Sequence, residues 1–84
     1  MDLRREEFEA WLRGKRPREV VGRPRHGCEC PLASYLSERE GLPVNVMSYH
    51  WPLWAALFIS LVDQSGLKRV TAGRALRLLE CCNA

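Results

Sequence analysis

The spacing of apolar positions changes several times along the chain, and each change marks an expected element. Phe8, Trp11 and Leu12 stand at i, i+3 and i+4 behind Asp2, while Arg4, Arg5, Glu6, Glu7 and Glu9 fill the other positions. With Asp2 as a cap, this predicts a first helix that ends at Gly14 and docks by one narrow stripe, a peripheral lid rather than a core helix. Between Gly14 and Gly27, among three glycines and two prolines, only Glu19, Val20 and Val21 can make a strand. Pro31 suits the first position of a second helix, with Cys30 as its N-cap, Leu32, Tyr35 and Leu36 as its apolar face and Gly41 as its stop. From Val44 to Trp51 the pattern turns to alternation, which predicts a second strand with Val44, Val46, Ser48 and His50 on one side and Asn45, Met47, Tyr49 and Trp51 on the other. Pro52 opens a third helix that runs to Ser65 before Gly66. Thr71 caps a fourth, whose stripe is Ala72, Ala75, Leu76, Leu79 and Cys82.

These elements predict an α+β fold in one domain spanning 1–84, ordered helix, strand, helix, strand, helix, helix, with a two-stranded sheet covered by helices. A chain of 84 residues has room for one core and excludes barrels and doubly wound sheets. The 52–65 helix is apolar nearly all round, a pattern that calls for cover on more than one side. A domain this small buries only about 60 to 70% of its unfolded surface. The conflict predicts a homo-oligomer held through the 52–65 helix, most simply a two-fold dimer.

Charge adds a second theme. The net charge is +3, yet Arg13 to His26 holds six basic residues against Glu19 alone, a local charge of +5 that leaves the rest of the chain at −2. A basic segment on a slightly acidic body favours polyanionic partners such as nucleotides or nucleic acid. The ordinary alternative is a solvated loop whose arginines serve solubility. No secretory pattern follows Met1, and the apolar run from Leu53 to Ile59 falls short of the roughly 20 residues a membrane span needs. The expectation is a cytoplasmic protein with no membrane contact.

The chemistry-bearing residues are few. Cys28 and Cys30 are separated by one residue and Cys81 and Cys82 by none, spacings that splay poorly around a tetrahedral zinc ion. Reduced thiols with no metal and no cofactor are therefore expected. A reactive thiol near Arg23, Arg25 and His26 is opposed by Glu29. No phosphate loop, GxGxxG or triad pattern appears, so no enzymatic activity is expected. What remains is a ligand site in which Arg16, Arg18, Arg23 and Arg25 donate to phosphates, Tyr49 offers a stacking plane and His50 lies beside it. Gly22 and Gly27 would let the loop backbone approach the ligand.

The stretch from Gly22 to Leu36, with Pro52 to Ala55 and Val70 to Ala72, resembles small uncharacterised proteins of bacteria and their phages. Some phage proteins of this size are compact oligomers that inhibit host defences by binding an effector or sequestering a nucleotide signal. The resemblance implies a binder and supplies no functional residues. The sequence thus points to a non-enzymatic, homo-oligomeric module for a nucleotide or other compact polyanion. Its alternative is an interaction module that inhibits or scaffolds a host protein through apolar surface.

Overall fold

The computed structural model describes residues 3–24, 29–46 and 50–82. In chain order these form α1 (Arg5–Arg13), β1 (Val20–Gly22), α2 (Pro31–Glu40), α3 (Leu53–Gln64), β2 (Val70–Thr71) and α4 (Ala72–Glu80). Four helices and a two-stranded antiparallel sheet make an α+β domain.

The second strand lies elsewhere than the alternation predicts. β1 pairs with Val70–Thr71, Val20 opposite Thr71 and Gly22 opposite Val70, so the order is helix, strand, helix, helix, strand, helix. Within 44–51, the described residues include no strand. Val44 and Val46 are buried and Asn45 is exposed, which is the alternation the sequence displays. Their polar contacts, however, run to side chains: the Val44 amide donates to Ser37 Oγ at 3.0 Å, and Trp51 Nε1 donates to the Val46 carbonyl. Val46 already lies in a 3-10 turn, so the alternating burial here comes without a strand.

Local chemistry sets the helix ends. Cys30 caps α2 by accepting from the Ala33 amide at 3.4 Å, Pro31 takes the first position, and Gly41 closes the helix at φ 77°. Thr71 caps α4 by accepting from the Arg74 amide at 3.2 Å. The C-terminal end of α4 is closed from outside, because Arg5 donates to the carbonyls of Leu79 at 2.9 Å and Cys82 at 3.1 Å. This cation at a helix C-terminus ties the first described helix to the last.

α1 is not a lid. Phe8 and Leu12 are fully buried, and the Phe8 ring packs edge-on against Phe58 at 5.1 Å and against Tyr35 at 5.4 Å, with Trp54 and Trp11 around it. Its narrow stripe reaches the centre because Phe8 is long enough to meet α2 and α3 together. The core then continues through Leu32, Leu36, Ala55, Val62, Val70, Ala75 and Leu79 as one cluster.

Candidate polyanion site

β1 is three residues long, but its pairing extends beyond the strand. The Ala72 amide donates to the Glu19 carbonyl and the Gly73 amide to the Pro17 carbonyl, both at 2.9 Å. These two bonds run from the first amides of α4 to the turn at 16–19 and stitch the start of α4 to the basic segment. Two consequences follow. The amides of Ala72, Gly73 and Arg74 are all committed, so the N-terminus of α4 holds its own chain rather than an anion. Arg18 lies in the turn bonded to the start of α4, which carries Arg74, while Arg23 follows Gly22 and Arg69 precedes its sheet partner Val70, with Lys68 before it.

Arg16, Arg18, Arg23, Lys68, Arg69 and Arg74 are exposed. None of their side chains forms an ion pair with a described residue. The paired cations are on the α1–α2 side. Lys15 lies 3.7 Å from Glu38 and 5.0 Å over the Trp11 ring, and Arg39 binds Glu40 at 3.0 Å and faces Glu7 at 3.8 Å. Among the described residues, one set of cations is engaged by acids and rings and another is presented around the two-stranded ribbon, where Glu19 and Glu29 are acidic residues of the same segment.

Of the residues singled out from the sequence, Arg16, Arg18 and Arg23 fall on this surface, whereas Arg25 and Tyr49 lie outside the described residues. His50 is exposed. The strand pairing expected to bring Tyr49 and His50 to the arginines is made instead by Val70–Thr71. Lys68 and Arg69 were missed, although a basic pair immediately before Val70 was there to be read. Gly22 has a different purpose from the one expected: a Cβ there would meet the Glu29 carbonyl oxygen and Pro31 nitrogen at 2.5 Å, so the close approach is to its own chain.

Cys30 and Cys82 are buried and Cys81 is exposed. Among the described residues, no three of His, Cys, Asp and Glu gather as metal ligands. No described helix is long and apolar enough to cross a membrane. No family model, curated protein or solved structure matches the chain.

Proposed function

We propose that this protein is a non-enzymatic binding module for polyanions, with nucleic acid as the ligand class that its surface suits best. The observation that carries the reading is the antiparallel register, which gathers Arg18 and Arg23 from one segment with Lys68, Arg69 and Arg74 from another. Exposed cations without acidic partners retain their full charge for phosphates. The described ones are carried along a ribbon. The depression of about 220 Å³ that borders Glu19, Val20 and Val21 is lined by Lys15, Glu19 and Glu38 and by none of these arginines. An extended backbone of phosphates uses such a surface better than a compact nucleotide signal, the form of polyanion that a phage protein acting against host defence would sequester.

Self-association is the second part of the proposal, and α3 supports it. Ala55, Phe58 and Val62 fill the core, while Leu53 at 64% exposure and Leu57 at 38% stand outside with Ala56 between them. A two-fold pair formed on this ridge would double the number of phosphate contacts without new chemistry. The same ridge is the feature that favours the alternative, an interaction module for a host protein.

Fluorescence anisotropy at low salt tests the reading with a labelled single strand, a duplex and a cyclic dinucleotide. Binding of either oligonucleotide is expected to disappear in Arg18→Ala plus Arg23→Ala while circular dichroism is unchanged. If the cyclic dinucleotide alone binds, the ligand is a compact signal. If nothing binds, or the double variant binds as the parent does, the polyanion reading fails and the interaction module replaces it.

A further inference from the structure

Adjoining the basic ribbon at Arg74, the side chains of Ser65, Leu67, Arg74, Arg77 and Leu78 line a depression of about 250 Å³ between the end of α3 and α4. Its floor is apolar: Leu67 and Leu78 are half-buried and pack against the core. Gly66, at φ 74°, makes the turn that brings Leu67 back over α4. The one hydroxyl is already engaged, since Ser65 Oγ donates to the Val62 carbonyl at 2.7 Å and accepts from the Leu67 amide at 3.3 Å. Recognition of a polar ligand group therefore falls to Arg74 and Arg77.

Those two arginines are three residues apart on α4 and share a face. Neither guanidinium makes an ion pair or hydrogen bond with a described residue, so both donor forks stand beside an apolar floor without an internal anion. A guanidinium matches a carboxylate in a planar, two-bond geometry. The volume lies just below that of drug-sized sites and suits a body the size of one side chain. From this juxtaposition we propose that the depression binds an aliphatic carboxylate, its branched apolar body on Leu67 and Leu78 and its carboxylate on Arg74 and Arg77. A C-terminal leucine of a polypeptide and a free branched-chain acid carry this same chemistry. The site shares Arg74 with the proposed polyanion surface, but Arg77 and the floor of leucines are its own, so the comparison of acid with amide peptide tests it separately from oligonucleotide binding.

The test is an amide NMR titration of the intact chain at millimolar concentrations of 4-methylpentanoate, of acetyl-Gly-Leu with a free carboxylate, and of the same peptide as its amide. Saturable shifts centred on Leu67, Arg74, Arg77 and Leu78 are expected with the acids. The amide peptide is expected to bind at least tenfold more weakly, and Arg74→Gln plus Arg77→Gln to lose acid binding to the same degree. Tighter binding of the peptide acid than of 4-methylpentanoate identifies the source as a polypeptide terminus, and equal binding shows that the free acid suffices. Absence of saturable shifts, equal binding of acid and amide peptides, or shifts centred elsewhere overturns the proposal. The acid-against-amide comparison on the parent chain decides the matter even if the double variant fails to fold.

Discussion

At Gly22 a single added carbon meets the main chain of residues 29–31. Its Cβ would lie 2.5 Å from the Glu29 oxygen, 2.5 Å from the Pro31 nitrogen and 2.7 Å from the Cys30 carbonyl carbon, none of which can swing away as a side chain could. Gly22→Ala is expected to destabilise the fold by about 3 kcal/mol, read as a lower urea midpoint. Gly14→Ala is the control: φ there is −76° and its Cβ finds ordinary contact at 3.5 Å, so up to about 1 kcal/mol of stabilisation is expected. The described cysteines differ as sharply. Cys82 is buried and donates its S–H to the Leu78 carbonyl at 3.3 Å, and burial pushes its thiol above the ordinary 9.0, partly countered by Arg5. Alkylation of the native protein followed by mass mapping is therefore expected to label Cys81 well before Cys82 or Cys30. Because the folded state holds the Cys82 proton more tightly than the unfolded chain, its contribution to stability is complete below pH 9 and is lost as pH rises through the raised value.

Along α3 the separation between core and ridge turns one apolar helix into two kinds of position. Phe58 is fully buried against Phe8, and Phe58→Ala is expected to cost about 3–5 kcal/mol. Leu57 is its immediate neighbour in sequence and is 38% exposed, so Leu57→Gln is expected to cost only about 1–2 kcal/mol. Sedimentation of Leu57→Gln then isolates self-association: a parent that sediments as a dimer is expected to yield a folded monomer, and a parent already monomeric removes the oligomer from the proposal. Helix ends were legible where the signal is local, as at Pro31, Gly41, Gly66 and Thr71, whereas α1 begins after Arg4 with no side-chain cap instead of at the expected Asp2. The strands were less so. Alternation at Val44 and Val46 records which side chains meet the core and says nothing of which chain supplies hydrogen bonds, while β2, at two residues, is too short to show any period. The first helix ends at Gly14 as its sequence predicts but starts two residues later and lies deeper, since counting apolar positions misses that one phenylalanine can anchor three helices.

For the molecule as a whole, the basic segment before the second helix was legible as composition, but its extent was not. Lys68 and Arg69 are more than forty residues from Arg23 in sequence and reach it only because β1 and β2 pair, a non-local fact that no local spacing encodes. That pairing makes the two halves of the surface separable by experiment. If an oligonucleotide lies along the ribbon, Lys68→Gln plus Arg69→Gln removes cations remote from Arg18 and Arg16 while sparing the residues that form the ladder. Each phosphate contact contributes about 0.9 to the slope of log K against log salt for a duplex and about 0.7 for a single strand. The double variant is therefore expected to lower that slope by about 1.8 with a duplex or about 1.4 with a single strand, and to weaken binding uniformly across sequences, as phosphate contacts rather than base contacts require. Anisotropy titrations over a series of salt concentrations measure this directly. An unchanged slope would mean that the ligand contacts only the Arg16–Arg23 segment and that the convergence across the sheet has no part in binding. Loss of slope confined to one oligonucleotide sequence would mean that Lys68 or Arg69 reads a base edge, which the spread of cations along an open ribbon does not predict.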